Sequence, residues 1–224
     1  VAVKMPRWDL QKFPHVSQNI TSEMKSVGEV MAIGRTFEEA LQKAIRMLNI
    51  GQEGLFPHSL SFSDLSSALS SPTPQRIFAL ATAFAQGQLP EDIAKLTGID
   101  PWFLERIAAC VRLGANSTLR ALKCMGYSDA GIAALCHCTA EDIRARREEM
   151  GIRPFVKQID TLAGEFPAQT NYLYLTYHGV EHVVVFGQSS PQRVFVLGSG
   201  PYSIGSSVEF DWCCVNAVKT VKEQ

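Results

Sequence analysis

Apolar residues recur at helical spacing through the middle of the chain. Between residues 37 and 48, Phe, Ala, Leu and Ile side chains fall on one face of a helix with 3.6 residues per turn. Thr36 and Glu39 stand at the spacing of a capping box, in which each side chain bonds the other residue's backbone N–H. The helical period returns over residues 75–86, 90–96, 101–113, 116–125, 128–136 and 139–150. The pattern predicts a series of short helices joined by short loops.

Strand-like patterns lie toward the two ends of the chain. Residues 1–5, closed by Pro6, predict a short strand, and residues 172–177 and 183–186 are rich in alternating or β-branched side chains. Residues 193–197 are apolar on both faces and predict a strand of a parallel sheet. Residues 7–35 show no clear period, although glycines bracket the apolar stretch 30–33. We therefore expect a mainly α protein with α/β edges.

The overall charge excludes a strong electrostatic attraction to nucleic acid or to an anionic membrane. The chain carries 21 basic and 22 acidic residues, for a net charge of −1. Its apolar runs fall well short of the ~20 residues that cross a bilayer. The six cysteines form no regular framework, which indicates a reducing, cytoplasmic compartment, with the mitochondrion as the alternative.

Both ends of the sequence indicate that this chain is a fragment of a longer one. Val1 is not an initiator Met, and residues 1–4 lack the basic and apolar start of a signal peptide. Residues 210–224 have the pattern of a helix without a C-terminal cap. We expect the chain to begin and end inside structure.

A glycine-rich segment follows the predicted parallel strand. Residues 198–205, called the glycine loop below, contain Gly198, Gly200 and Gly205, and a helix is expected from about residue 206. Such a loop is typical of a phosphate or nucleotide site at a helix N-terminus. The dinucleotide fingerprint needs a third glycine where this chain has Ser203. A tight turn that packs the helix onto a sheet explains the glycines equally well.

Several polar residues also have ordinary structural explanations. Asp211 lies in the first turn of the predicted helix, where the helix dipole stabilises a carboxylate. Glu29 stands between a glycine and apolar residues, so it lies at a surface turn or is buried for a purpose. Cys136 and Cys138 flank His137, but a structural zinc needs four ligands. We expect buried thiols and a histidine at a helix end rather than a metal site.

Residues 128–153 superficially match a helix-turn-helix. Two capped helices are predicted there, and a DNA-binding protein would place the second one in the major groove. Four arginines in residues 139–153 are balanced by four carboxylates. A recognition helix normally carries a basic surplus for phosphate contacts. The charge balance favours a small packed helical domain.

Three segments together resemble the large subunit of carbamoyl-phosphate synthetase. The first comprises KMPRWDL at residues 4–10 and MKSVGEVMAIGRT at residues 24–36. The second comprises VKQIDT at residues 156–161 and PAQTNYLYLTY at residues 167–177. Its sequence is similar to the eukaryotic multifunctional form of the enzyme, which begins pyrimidine synthesis. The third is VLGSGPYSIGSSVEFDW at residues 196–212. The resemblance covers the whole chain and is loosest in the middle helices.

The resemblance implies a connector between two ATP-grasp halves, each of which uses ATP and magnesium. It places the end of the first half at residues 1–55, a helical oligomerisation domain at 56–188 and the first βα unit of the second half at 189–224. The residues that bind ATP and magnesium would lie outside this chain, which would have no catalytic residue, metal or cofactor of its own. Implied partners are the rest of the synthetase chain, a glutamine amidotransferase component and a second copy. The alternative is a helical self-association module without a catalytic role.

The resemblance also implies a role in guiding an intermediate. Members of the family pass carbamate through an internal tunnel between their two active sites. By motif match, Glu29 and Glu209 would line this tunnel, and Ser207 would lie at its wall. The family often has glycine at the position of Ser207. We expect both carboxylates to be partly buried beside a cavity.

Overall fold

The computed structural model describes residues 1–114, 117–160, 164–170, 172–184, 194–206 and 208–223. The chain is mostly helical within these ranges. The helices are α1 (Phe37–Met47), α2 (Leu65–Ser70), α3 (Arg76–Ala85), α4 (Pro90–Thr97), α5 (Pro101–Arg112), α6 (Leu119–Cys124), α7 (Asp129–Cys136), α8 (Ala140–Glu149) and α9 (Val208–Glu223). The strands are β1 (Ala2–Arg7), β2 (Gly28–Ile33), β3 (Phe155–Gln158) and β4 (Leu173–Thr176), with a 3-10 turn at Leu10–Lys12. The expected fold class, mainly α with α/β edges, is confirmed.

Two antiparallel strand pairs flank the helices. β1 pairs with β2, so that Ala2 lies opposite Ile33 and Arg7 opposite Gly28. The buried side chains of β2 pack against α1, which covers one face of this pair. β3 pairs with β4 in a second, separate sheet. β1 continues through Pro6, where the sequence predicted its end, because a two-stranded sheet leaves each strand one free edge that tolerates a residue without an N–H.

The largest core lies among α1 to α5. Small alanines on α3 let it approach its neighbours closely, and large side chains fill the remaining space. These include Ile45, Leu55, Phe78, Phe84 and Leu104, all buried. At roughly 1.5–3 kcal/mol for each fully buried large apolar side chain, this cluster is the main source of the chain's stability.

Helices α6 to α8 surround a second, smaller core. Leu122, Tyr127, Ile132 and Ile143 are buried in it. The Tyr127 hydroxyl donates a 2.6 Å hydrogen bond to the carbonyl of Cys110 on α5, and burial raises the pKa of this tyrosine above its ordinary value. The predicted helix-turn-helix segment is therefore part of a packed helical unit that is tied to the main core.

The predicted helix starts agree closely with the observed caps. Asp100 accepts a 2.8 Å hydrogen bond from the Trp102 N–H, and Pro101 opens α5. At α1, Thr36 accepts from the Glu39 N–H as predicted, but the Glu39 carboxylate accepts from the N–H of Arg35 instead of Thr36. A complete capping box forms at the start of α8, at the Thr139–Asp142 pair.

Two strand predictions near the C-terminal end are not met. Residues 194–197 form no strand, and Phe195 and Leu197 are 89% and 87% exposed; Arg193 lies outside the described residues. Val183 and Val184 also form no strand, and residues 185–186 lie outside the described ranges. An extended segment becomes a strand only when a neighbour pairs its N–H and C=O groups. The described residues provide no such neighbour for 194–197.

Candidate functional site

A cavity lies between the first hairpin and the glycine loop. Its volume is about 460 Å³. One wall comes from residues before and within β2, and the other from the glycine loop, about 170 positions later in the chain. The lining residues are Met24, Ser26, Val27, Gly28, Glu29, Gly200, Pro201 and Tyr202. The fold thus brings two segments from opposite ends of the sequence to one space.

Close backbone approach at Gly28 fixes the narrow side of this cavity. A Cβ atom on Gly28 would collide with the carbonyl of Tyr202. Gly200 and Gly205 have φ of 80° and 92°, a left-handed conformation that glycine adopts without strain, whereas a Cβ on Gly198 would meet open space. Two of the three loop glycines are therefore required by the turn, and Gly28 is required by contact between the two walls.

Asp9 anchors the glycine loop to the N-terminal segment. This residue is 1% exposed, and its Oδ2 accepts a 2.7 Å hydrogen bond from the N–H of Ile204. Its carboxylate also accepts bonds from Arg7 Nε at 3.1 Å and Lys12 Nζ at 3.2 Å. Burial alone would raise the pKa of Asp9, but the bonds from Ile204, Arg7 and Lys12 together hold it below its usual range. Asp9 is therefore an ionised, buried anchor.

Lys12 bonds the other backbone polar group of Ile204, its carbonyl. Its Nζ donates a 2.7 Å hydrogen bond to the carbonyl of Ile204. Both backbone polar groups of Ile204 are thus held by side chains from residues 9–12. Sequence reasoning missed Asp9 and Lys12; the available signal is an acid placed directly between the large apolar residues Trp8 and Leu10, with basic residues at positions 7 and 12 that can pair with it.

Glu29 stands on the cavity wall at the second position of β2. Its Oε2 lies 3.0 Å from Nζ of Lys4 on the paired strand, and the Glu29 side chain is 58% exposed. An ion pair this exposed contributes little to stability because water screens both charges. The carboxylate is therefore available to other groups that enter the cavity.

Glu209 lies in the first turn of α9, close to the opposite wall. The Tyr202 hydroxyl donates a 2.6 Å hydrogen bond to Oδ2 of Asp211. This bond raises the pKa of Tyr202, and burial and the charges of Asp211 and Glu209 act in the same direction. Glu209 is not among the residues that line the cavity, but its charge acts on a tyrosine that does. Ser207, the third residue of the tunnel hypothesis, lies outside the described residues.

The exposure of the two acids differs from our expectation. Glu29 and Glu209 are both exposed, although we expected each to be partly buried. Glu29 lines a cavity that is open to solvent, and Glu209 lies outside the cavity lining, in the first turn of the exposed helix α9. Their assignment to a tunnel wall stays a prediction.

The other candidate residues are placed as follows. His137 ends α7 in a left-handed conformation, with φ of 54°, which confirms the histidine at a helix end. Cys136 and Cys138 are exposed, so the prediction of buried thiols is wrong; the chain leaves the helix there and turns the side chains outward. The described residues hold no group of three or more His, Cys, Asp or Glu side chains that could bind a metal. Over the same residues, no helix is both long and apolar enough to span a bilayer.

Comparison with known families identifies the chain. A sequence model described as "Carbamoyl-phosphate synthetase large chain, oligomerisation domain" matches residues 29–151, more than half of the chain. The chain belongs to the carbamoyl-phosphate synthetase large-chain family. A second model, "Carbamoyl phosphate synthase preATP-grasp domain", matches residues 190–224. These matches leave the domain boundaries that we expect at residues 55 and 188 as predictions.

Curated relatives of this carbamoyl-phosphate synthetase chain are much longer. It is 49% identical to multifunctional protein ura1 of Schizosaccharomyces pombe, covering 100% of this chain and 10% of that protein. It is 48% identical to multifunctional protein URA2 of Saccharomyces cerevisiae, over 98% of this chain and 10% of that protein. It is 45% identical to mitochondrial carbamoyl-phosphate synthase [ammonia] of Rattus norvegicus, over 100% of this chain and 16% of that protein. The chain therefore spans between a tenth and a sixth of these relatives.

Proposed function

We propose that this chain is the part of a carbamoyl-phosphate synthetase that connects the two synthetase halves and lines the passage of carbamate between them. The whole enzyme would make carbamoyl phosphate from bicarbonate, ammonia or glutamine nitrogen, and two molecules of ATP. The observation that supports this role is the shared cavity. Gly28 and Glu29 meet Gly200 and Tyr202 across it, although the two segments stand at opposite ends of the sequence.

The chemistry of the intermediate explains why such a passage would be useful. Carbamate decomposes rapidly in water, and an enclosed route between active sites excludes the solvent. Carboxylates on the walls accept hydrogen bonds from the N–H groups of a passing molecule. Glu29 and Glu209 would serve this purpose, and Ser207 would narrow the route. In this chain the cavity is open on one side, so other parts of the enzyme would close it.

The residues around the glycine loop do not fit a nucleoside triphosphate. The first turn of α9 carries Glu209 and Asp211, whose negative charges oppose a phosphate at this helix N-terminus. Of the nearby lysines, Lys12 is held by Asp9 and by the Ile204 carbonyl, and Lys4 lies 3.0 Å from the Glu29 carboxylate, whose negative charge also opposes a phosphate. We therefore place the ATP and magnesium sites of the enzyme outside this chain and assign no catalytic step to its residues.

The same proposal covers organisation and partners. Residues 1–55 would close the first half, residues 56–188 would form the connector, and residues 189–224 would open the second half. The remaining synthetase chain and a glutamine amidotransferase component are the expected partners. The cytoplasm is the compartment that we propose, with the mitochondrion as the alternative, since one of the relatives named above is a mitochondrial enzyme.

A graft into a relative tests this role. These 224 residues would replace the matching segment of Schizosaccharomyces pombe ura1, and carbamoyl phosphate formation would be assayed with and without Ser207→Phe. We expect the graft to be active. The bulky ring should abolish overall synthesis while bicarbonate-dependent ATP hydrolysis and ATP synthesis from carbamoyl phosphate persist.

Ser66→Phe is the matched control, because it adds the same ring to an exposed position of α2. This variant should leave overall synthesis unchanged. Full synthesis by the Ser207→Phe graft would refute the passage, and loss of both partial reactions would show general damage instead of a blocked route.

A second candidate function, self-association, is favoured by an exposed aromatic group at the start of α5. Trp102 and Phe103 are 48% and 45% exposed. Both rings contact Phe37 edge-on, with centroid distances from Phe37 of 5.5 Å for Trp102 and 5.6 Å for Phe103. Aromatic residues are enriched at protein interfaces. We propose that this group contacts a second copy. Sedimentation equilibrium should show association that Trp102→Glu weakens and Tyr172→Glu, at another exposed aromatic, does not; a monomer at every concentration would refute it.

A further inference from the structure

Residues 9–12 bond both backbone polar groups of Ile204, the N–H and the C=O. Asp9 and Lys12, called the Ile204 clamp below, hold the N–H and the C=O of one residue at 2.7 Å each. Two hydrogen bonds in opposite senses fix both the position and the orientation of a peptide segment, as a pair of ladder bonds does between strands. Ile204 is not part of a strand and has no such ladder.

The clamp lies where movement of the loop would change the cavity. Ile204 follows Tyr202 by two residues, and the Tyr202 carbonyl is in contact with Gly28 on the opposite wall. Ser203 and Ser206 bond each other's backbone at 3.0 Å, so this end of the loop turns as a closed unit. A shift of Ile204 would therefore move Tyr202, and with it one wall of the cavity.

The clamp is also connected to the body of the chain. Arg7, which donates to Asp9, donates from Nη1 to the carbonyl of Leu48 at 2.6 Å and to that of Asn49 at 3.3 Å. These carbonyls end α1, and a guanidinium stabilises the negative end of a helix. The path Ile204–Asp9–Arg7–Leu48 joins the glycine loop to the end of α1, whose side chains enter the main core.

We propose that Asp9 and Lys12 are positioning residues that set the width of the cavity between Glu29 and the glycine loop. In this proposal they act through Ile204 and not through contact with the intermediate. The functional consequence of the clamp, a sealed passage for carbamate, rests on the proposed function. The clamp itself can be tested without that function.

Amide hydrogen exchange by NMR tests the clamp on the 224-residue chain. In Lys12→Met, which keeps the aliphatic stem and leaves Arg7 paired with Asp9, exchange of the Ile204 N–H should accelerate roughly tenfold or more. Asp9→Ala removes the acceptor itself and should have a larger effect, while amides of α5 keep their protection. Lys12→Arg, which retains a donor, should keep the slow exchange of the Ile204 N–H.

Asp92 and Lys95 provide a matched control pair. They have the same three-residue separation and a 3.0 Å contact, but both side chains are largely exposed and far from the loop in sequence. Asp92→Ala and Lys95→Met should leave Ile204 exchange unchanged. If Lys12→Met folds and its Ile204 exchange equals that of the unmodified chain, the clamp is refuted, even if Asp9→Ala fails to fold.

The consequence is measured in the ura1 graft as ATP consumed per carbamoyl phosphate formed. A loosened wall should admit water, so Lys12→Met should raise this ratio about twofold or more while both partial reactions persist. An unchanged ratio in a graft that Ser207→Phe blocks would refute the positioning role alone. If Ser207→Phe also leaves synthesis intact, the passage itself is refuted.

Discussion

Thr176 donates a 3.0 Å hydrogen bond from Oγ1 to Oε2 of Glu39, and both residues are 1% exposed. They stand 137 positions apart in sequence, on β4 and α1. The same carboxylate accepts from the Arg35 N–H and from Lys43 Nζ, each at 2.8 Å. Glu39 thereby attaches the second strand pair to the helix that packs on the first.

Replacing Thr176 with valine should destabilise the chain. Valine has nearly the same shape but no hydroxyl, so the buried Glu39 carboxylate loses one donor and the His178 N–H loses its 3.2 Å bond to Oγ1, without a cavity being created. We expect the free energy of unfolding to fall by about 1–3 kcal/mol. Urea unfolding followed by circular dichroism measures this loss.

Two further variants separate the hydrogen bond from other effects of the substitution. Thr176→Ser keeps the hydroxyl and should recover most of the lost stability. Thr220→Val removes a hydroxyl that donates to the Asn216 carbonyl on exposed α9, and should change the free energy of unfolding by no more than about 0.5 kcal/mol. Equal losses in Thr176→Val and Thr220→Val would contradict a special role for the Glu39 bond.

Arg76 should be the arginine whose loss most weakens the main helical core. Its Nε donates to the carbonyl of Leu69 at 2.7 Å and its Nη2 to that of Thr97 at 2.9 Å. These carbonyls lie at the C-terminal ends of α2 and α4, where a cation also gains from the helix dipole. Arg76→Met should lower the free energy of unfolding by about 2 kcal/mol or more, measured by thermal and urea unfolding.

The control for Arg76 is another arginine that forms an ion pair, but on the surface. Arg144 pairs with Glu148 at 3.1 Å on the surface of α8, where both side chains are largely exposed. Arg144→Met should cost no more than about 0.5 kcal/mol. A loss in Arg76→Met as small as that would show that the two helix ends are stabilised by other groups.

The sequence predicted the helices well because their signals are local. Thr139, Ser128 and Asp100 each cap a helix that starts close to its predicted position, since an N-cap bonds within three residues of itself. β2 was not predicted, although glycines bracket its apolar residues, because its pairing with β1 spans more than twenty residues. The strand expected at 193–197 required a neighbour that the described residues do not supply.

The candidate site shows the same division between local and distant information. The turn glycines Gly200 and Gly205 were recognised from their type and spacing. The Ile204 clamp was not, because Asp9 and Lys12 meet Ile204 across more than 190 positions. Nothing within a few residues of Asp9 indicates a partner so far along the chain. The exposure of Glu29 likewise depends on which walls surround the cavity.

Asp129 holds two cations together, and its loss should cost more than the loss of either cation. It accepts from Lys123 Nζ at 2.7 Å and from Arg147 Nε at 2.9 Å. Burial alone would raise its pKa, but these two partners hold the pKa below the usual value. Asp129→Asn leaves the buried Lys123 without a counter-ion, and the free energy of unfolding should fall by about 3 kcal/mol or more.

A double variant checks this explanation. Lys123→Met alone should cost less than Asp129→Asn, because Arg147 still pairs with the carboxylate. Adding Lys123→Met to Asp129→Asn should recover part of the loss, since it removes the uncompensated charge. If the two losses simply add in urea unfolding, charge compensation is not the reason for the cost of Asp129→Asn.

The isolated chain should neither bind nor hydrolyse ATP. The acidic first turn of α9 opposes a triphosphate beside the glycine loop, and the loop N–H of Ile204 is already bonded to Asp9. Isothermal titration with ATP and magnesium should show no heat of binding at millimolar ligand. Saturable binding that Gly200→Ala weakens would contradict this and would favour a nucleotide site at the loop.

His58 should make the stability of the chain depend on pH. Its ring contacts Phe56, Phe62 and Phe78, and its Nε2 lies 3.1 Å from the Phe78 carbonyl. Burial lowers the pKa of His58 below its ordinary value, although the bond to Phe78 opposes the shift. The folded chain therefore holds this histidine neutral at a pH where the unfolded chain would protonate it.

The sign of the effect follows from proton binding. Above the unfolded-state pKa of about 6.5, both states are neutral and the contribution of His58 is fully present. As the pH falls below that value, the unfolded state binds the proton first and the free energy of unfolding decreases, by at most about 1.4 kcal/mol per pH unit. Urea unfolding between pH 7.5 and 5.5 should show this slope. His58→Phe should flatten it, whereas His15→Phe, at an exposed position, should leave it unchanged. An identical slope in the His58→Phe chain would assign the acid sensitivity to other groups.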